Sequence, residues 1–172
     1  MDFEKVIKER FSVRKFKNDP LSDETISKIL EAGYIAPTGC NFQPQRILVI
    51  KSEAALSKLK SCTKCHFDAP CAMLICYNKE ESWVRPYDGE LSAPVDASIV
   101  ATHLMLAAQN LGVGTCWVMH FNPTVMRESF NLPENIIPQA LLVMGYPHED
   151  FVPNERHEQF RPIDEIVLYD SF

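Results

Sequence analysis

Apolar positions near the start of the chain predict two helices. Small or apolar residues between 26 and 33 recur at helical spacing behind Ser22, so a helix is expected there with that serine as its N-cap. It should end before Pro37, because the residue preceding a proline avoids helical backbone angles. An earlier helix is expected over residues 3–10, capped by Asp2.

Short unbroken apolar runs further along the chain predict buried strands. The runs cover residues 47–50, 72–77, 115–119 and 140–145, with a fifth at 166–169. Short helices are expected near residues 53–60 and after Asn122. Helices and strands mix without the regular alternation of a doubly wound sheet, which favours an α+β fold.

One long helix is expected over about residues 95–111, ending at Gly112. It is rich in Ala, Leu and Met and has few charges, so it should be buried on most sides. A single domain of 172 residues rarely covers such a helix completely. An interface between two chains would complete the burial.

The composition is that of one globular domain spanning residues 1–172, with 46% hydrophobic and 23% charged residues. The formal net charge of −6 argues against a nucleic-acid partner. No apolar run approaches the roughly 20 residues that span a bilayer, and the N-terminus lacks the features of a signal peptide. A cytoplasmic protein without a membrane partner is therefore expected.

The segment from Arg10 to Arg14 is a candidate phosphate site. In an extended segment, Arg10, Ser12 and Arg14 project to one face, where two guanidinium groups and a hydroxyl suit a phosphate. Alternatively, Arg10 only stabilises the end of the first helix, and the other two side chains are solvated.

Two loops could approach a flat ligand. The loop Pro37–Pro44 offers Gly39 for close backbone approach and amide side chains at Asn41 and Gln43. The junction 112–117 could present backbone N–H groups. Either loop could instead be an ordinary turn. No Walker-type loop and no G-x-G-x-x-G signature is present, so a nucleotide would not be held in a Rossmann manner.

The six cysteines allow a competing hypothesis. Cys62, Cys65 and His66 match the C-x-x-C-H pattern, but haem attachment needs an export signal. A zinc or iron–sulfur site could use Cys62, Cys65, Cys71 and Cys76, although Cys76 lies inside an apolar run. A metal-binding module without flavin is the alternative to the function developed next.

Taken in order, segments along almost the whole chain resemble the nitroreductase family of FMN flavoenzymes. They are Arg10-x-Ser12-x-Arg14-x-Phe16, Ala36–Pro44, Asp68-Ala69-Pro70, Val95–Ile99, Leu111–Trp117, Met144–Pro147 and Arg161-Pro162. No single segment is specific, whereas their shared order and spacing are. The resemblance implies an α+β nitroreductase-like fold, with a mixed central sheet flanked by helices. It also implies an intertwined homodimer with two FMN molecules at the interface.

The resemblance also implies roles for particular residues. Arg10, Ser12 and Arg14 would hold the FMN phosphate and the polar edge of the flavin, and Arg161 would join the phosphate. The partner chain would supply Thr38, Gly39 and Asn41 to the ring, and Pro37 would also belong to the cofactor-binding residues. The backbone of Gly114, Thr115 and Cys116 would face the reactive nitrogen of the ring. No catalytic residue beyond the bound flavin and no metal ligand is expected.

Three positions depart from the family pattern. Gln45 stands where many members have Trp, and Gln159 stands where many have Lys. The stretch Cys62–His66 replaces polar or basic residues that contact the ring, a role that Lys64 or His66 could take.

The resemblance implies a two-step reaction. NADH or NADPH would reduce FMN, and a small-molecule acceptor, such as a nitroaromatic, a quinone or another flavin, would then be reduced at the same site. A flavin protein of the same fold with fragmentation or dehalogenation chemistry is a further alternative.

Overall fold

The structure is a computed structural model that describes residues 2–172. Its five α-helices are α1 (Phe3–Glu9), α2 (Asp23–Tyr34), α3 (Glu53–Cys62), α4 (Ala93–Asn110) and α5 (Pro123–Phe130). Its four strands are β1 (Gln45–Ile50), β2 (Cys71–Asn78), β3 (Gly114–Val118) and β4 (Ile136–Gly145). Short 3-10 turns lie at Gly39–Asn41, Lys79–Glu81, Glu155–Glu158 and Ile163–Glu165. These elements confirm the predicted α+β class.

The strands form one sheet in the order β1-β2-β4-β3, and all adjacent strands pair antiparallel. Leu74 of β2 lies opposite Leu48 on one side and Leu141 on the other. The parallel component of the sheet is an isolated bridge between Ser12 and Thr115, which adds the Arg10–Phe16 segment beside β3. The four paired strands are thus antiparallel, and the parallel contact expected of a mixed sheet is an isolated bridge outside them.

Side chains on the two faces of the sheet enter two separate cores. Because successive residues of a strand point to opposite faces, Met73 packs in the core that contains α2 and α4, while Leu74 packs on the other side with Met126 of α5. Gly33 lets α2 approach α4 closely, since a Cβ there would lie 2.7 Å from Cδ2 of Leu104. The predicted burial of the long helix is confirmed for its sheet-facing side.

Helix ends follow the chemistry expected from the sequence. The Ser22 hydroxyl accepts a hydrogen bond from the Thr25 N–H at 3.1 Å, and the Asn122 side chain caps α5. Asp2 occupies the N-cap position of α1, but its side chain accepts no hydrogen bond there. Gly112 adopts a φ of 74°, the left-handed conformation that ends α4.

The chain beyond Phe151 is an exposed arm, and the predicted strand at 166–169 is wrong. Ile163–Glu165 form a 3-10 turn, and no strand follows it. A strand needs a neighbouring strand to pair with, and the arm does not pair with the sheet of its own chain. Large apolar side chains along the arm are solvent-exposed, including Phe160 at 83% and Tyr169 at 84%. In the described part of the chain, no helix is both long enough and apolar enough to cross a membrane.

Candidate functional site

The Arg10–Phe16 segment lies extended beside β3, as its sequence predicts. The Val13 N–H donates to the Thr115 carbonyl at 2.9 Å, and the Val13 side chain is 2% exposed. Burial of Val13 turns its neighbours Ser12 and Arg14 outward on the same side of the segment. The main chain therefore presents these two polar side chains together.

A cleft of about 380 Å³ joins this segment to the C-terminal arm. Its lining residues are Arg10, Phe11, Ser12, Arg14, Asn154, Arg156 and His157. No carboxylate is among them. Of the ion pairs between residues 2 and 172, none involves Arg10, Arg14 or Arg156. Three guanidinium groups thus share one cleft of an acidic protein without a neutralising partner, which suits a multiply charged anion.

Aromatic contacts and a short turn hold the arm against the N-terminal segment. The Phe11 ring stacks on Phe151, with centroids 6.1 Å apart, and meets the His157 ring edge-on at the same distance. The Asn154 side chain accepts from the Arg156 N–H at 3.1 Å, which caps the turn Glu155–Glu158. These contacts place Arg156 in the cleft.

Arg161 lies elsewhere on the arm. Its side chain is 79% exposed, and its Nη1 lies 3.9 Å from Oε2 of Glu165. The structure therefore brings Arg156, not Arg161, to Arg10 and Arg14. Sequence reasoning missed Asn154, Arg156 and His157. The sequence shows two arginines in the arm, Arg156 and Arg161, either of which could reach a phosphate. The family pattern alone favoured Arg161.

Gly114, Thr115 and Cys116 are buried at the start of β3, beside the Arg10–Phe16 segment. A Cβ at Gly114 would lie 2.6 Å from Cγ2 of Val13, so the glycine permits the close approach. Burial raises the pKa of the Cys116 thiol, opposed by the nearby positive charge of Arg14. Within this chain, these three residues support the outward-facing Ser12 and Arg14.

The loop Pro37–Pro44 does not line the arginine cleft of its own chain. Three of its residues other than glycine have left-handed backbone angles, with φ of 46° at Cys40, 58° at Asn41 and 52° at Gln43. Thr38 supports this conformation by accepting from the Gln43 N–H at 3.1 Å. The loop therefore has a defined conformation and lies outside the arginine cleft.

A second cleft, of about 670 Å³, lies between the end of α3 and the end of β3. It is lined by residues 60–64 and 119–123, which include Lys60, Lys64 and His120. His66 does not line this cleft, and its Nδ1 accepts from the Asp68 N–H at 3.0 Å. Of the two basic residues considered for ring contact, Lys64 therefore faces a cleft.

The four cysteines considered for a metal site do not converge. Cys71 and Cys76 lie in cores on opposite faces of the sheet. Burial raises the pKa of the Cys71 thiol to about 11 and that of Cys76 to about 12, whereas metal binding requires thiolates. Among residues 2–172, no group of three or more His, Cys, Asp or Glu side chains could hold a metal ion. The geometry does not support the metal-binding alternative.

All comparisons with known proteins described below point to the same family. The model of the Nitroreductase family matches residues 7–70 and 62–146. A solved nitroreductase family protein from Clostridium difficile 630 is 40% identical, with a TM-score of 0.93 and full coverage of both chains. A relative from Archaeoglobus fulgidus, provisionally named NADH dehydrogenase/NAD(P)H nitroreductase, is 30% identical, with 92% of each chain covered. A provisionally named nitroreductase from Desulfovibrio desulfuricans, solved in complex with FMN, is 26% identical, with a TM-score of 0.83, covering 100% of this chain and 98% of that one.

Proposed function

The chain belongs to the nitroreductase family, and we propose that it is an FMN-dependent oxidoreductase. Its electron donor would be NADH or NADPH. Its acceptor would be a small molecule such as a nitroaromatic or a quinone. The observation that carries the proposal is the cleft in which Arg10, Arg14 and Arg156 are free of carboxylate partners.

The cleft residues fit the phosphate of FMN. A phosphate monoester carries up to two negative charges and three strong acceptor oxygens. Arginine donates paired hydrogen bonds to such oxygens, and the Ser12 hydroxyl adds another donor. Arg10 is supported from α4, where its Nη1 lies 3.7 Å from Sδ of Met105. Arg156 would supply the C-terminal cation for which the family pattern pointed to Arg161.

Other residues would hold the flavin ring. Arg14 would face its polar edge, and Lys64 is favoured over His66 as the second cation because it lines an open cleft. Thr38, Gly39 and Asn41, together with Pro37, would come from the partner chain. The absence of these loop residues from the arginine cleft of their own chain is compatible with that role.

When bound, FMN would supply the hydride transfer between NAD(P)H and the acceptor. The protein would contribute orientation and charge. Positive charge from Arg14 or Lys64 beside the polar edge of the ring would stabilise an anion there. Neither cleft is lined by an Asp or Glu. Solvent would supply the protons for the acceptor.

A homodimer is part of this proposal. The arm exposes Phe160, Ile163, Ile166 and Tyr169, apolar side chains that a second copy would cover. Exposed Phe3 on α1 and Tyr34 at the end of α2 offer further apolar surface on the body of the domain. The single-domain organisation and the cytoplasmic location expected from the sequence stay predictions.

The direct test is spectroscopic and kinetic. Purified protein, reconstituted with FMN if necessary, should bind about one flavin per chain and oxidise NADH or NADPH when a nitro compound or a quinone is supplied. Protein that cannot be loaded with FMN would overturn the proposal. Bound FMN without turnover of either donor would instead favour the flavin protein with fragmentation or dehalogenation chemistry.

A further inference from the structure

A buried carboxylate links α4 to the loop Pro37–Pro44. Asp96 lies in the first turn of α4 and is 3% exposed. Its Oδ1 accepts a hydrogen bond from the Gly39 N–H at 2.8 Å, and its Oδ2 accepts one from the Ser92 hydroxyl at 2.8 Å. Both oxygens of this carboxylate are therefore engaged, and one of them holds the loop.

The loop needs such support because its backbone is strained. Cys40, Asn41 and Gln43 all occupy the left-handed region, which costs residues other than glycine about 1 kcal/mol or more each. Hydrogen bonds inside the loop, such as Asn41 N–H to the Thr38 carbonyl at 3.0 Å, close its turn without attaching it to the domain. The bond from Gly39 to Asp96 makes that attachment to α4.

Gly39 also lies directly against the same end of α4. A Cβ at Gly39 would lie 2.8 Å from the Ser92 hydroxyl oxygen and 3.0 Å from its Cβ, so a larger residue would force Ser92 or the loop to shift. The Ser92 N–H in turn donates to the Trp83 carbonyl at 2.9 Å. Asp96 and Ser92 therefore hold the loop against the N-terminal end of α4.

From this geometry we propose that Asp96 is a positioning residue of the flavin site. It holds Gly39, and through it Thr38 and Asn41, in the conformation that meets the ring. The inference rests on the proposed function, in which this loop contacts FMN. It predicts that losing the Asp96 carboxylate weakens FMN binding through the loop, beyond any effect on stability.

Ser82 provides a matched control at the same end of α4. Its side chain is buried, accepts from the Ala93 N–H at 3.0 Å and donates to the Trp83 carbonyl at 2.9 Å. It thus makes two hydrogen bonds, as Asp96 does, but neither of them reaches the loop. Asp96→Ala and Ser82→Ala should both lower the free energy of unfolding, while only Asp96→Ala should change FMN binding.

The experiment measures the Kd for FMN by quenching of flavin fluorescence, the visible spectrum of the bound flavin, and unfolding of each apoprotein in urea. Asp96→Ala is expected to raise the Kd by about tenfold or more, because a charge-assisted hydrogen bond is lost. Asp96→Asn should be less affected, since its amide oxygen can still accept from Gly39. If Asp96→Ala does not fold, Asp96→Asn is compared with Ser82→Ala instead, and a smaller increase in Kd is expected because only the charge of the acceptor is lost.

The outcomes separate this inference from the function on which it rests. Wild-type protein that does not bind FMN overturns both. Wild-type protein that binds FMN, with the same Kd in the Asp96 and Ser82 variants, overturns only the positioning role. A raised Kd and an altered flavin spectrum confined to the Asp96 variants support it.

Discussion

Arg10 and Arg156 line the same cleft, although they lie near opposite ends of the chain. Phe11 joins the two regions, since its ring contacts Phe151 and His157 of the C-terminal segment. The cleft is therefore assembled by the return of the arm to the start of the chain. An anion bound there would stabilise this contact.

The first prediction compares two arginines of the arm. Arg156→Ala should raise the Kd for FMN by about tenfold or more, because it removes a charged donor from the cleft. Arg161→Ala should have a smaller effect, since that side chain is 79% exposed and lies beside Glu165. Titration of both apoproteins with FMN measures the difference. A larger effect from Arg161→Ala would assign the phosphate contact to Arg161 instead.

A second prediction concerns the close approach at Gly114. In Gly114→Ala the new methyl group would overlap Val13, so the segment carrying Ser12 and Arg14 must shift. The free energy of unfolding should fall by about 1–3 kcal/mol, and FMN affinity should fall with it. Urea denaturation and FMN titration measure the two effects. Adding Val13→Ala should restore part of the affinity, although the new methyl group would still lie 2.9 Å from Cγ of Pro147. Failure of this second substitution to help would contradict the contact with Val13 as the cause.

A third prediction concerns alkaline stability. The thiol pKa values of Cys71 and Cys76 are raised from 9.0 to about 11 and about 12, so the folded state keeps protons that the unfolded state releases. Their contribution is fully present below pH 9 and is lost as the pH rises towards these folded values. Each thiol should lower the free energy of unfolding by up to about 1.4 kcal/mol per pH unit in this window.

Urea denaturation between pH 8 and about 10.5 tests this dependence. The double variant Cys71→Ala, Cys76→Ala is the control, because its lysines and tyrosines still titrate. It should be less stable than wild type at pH 8 but should lose less stability as the pH rises. Parallel pH profiles for the two proteins would rule out the thiols as the cause.

The fourth prediction concerns the arm as an interface. Wild-type protein should sediment with twice the 19.6 kDa mass of the chain. Ile166→Asp should shift the population towards the monomer, because it places a charge on apolar surface that the partner would cover. Asp164→Ala, an exposed polar position in the same arm, should leave the dimer unchanged. Dimers that persist in Ile166→Asp would place the interface elsewhere.

Much of the secondary structure could be predicted from the sequence because it depends on neighbours in the chain. The Ser22 cap, the apolar spacing of α2 and the Gly112 stop act within a few residues, and each appears where its pattern predicts. The prediction of a fifth strand was wrong because a strand forms only when it pairs with another strand, and an apolar run does not by itself reveal such a partner.

The residues of the candidate site likewise include some whose placement depends on chain neighbours and others whose placement depends on tertiary contacts. By itself, the sequence determined that Ser12 and Arg14 share a face, because alternation along an extended segment is a local property. Only the tertiary structure decided that Arg156 joins them and that Asp96 holds the loop of Gly39. Such contacts join residues far apart in the chain, and they form because packing of the arm and of α4 brings their side chains together.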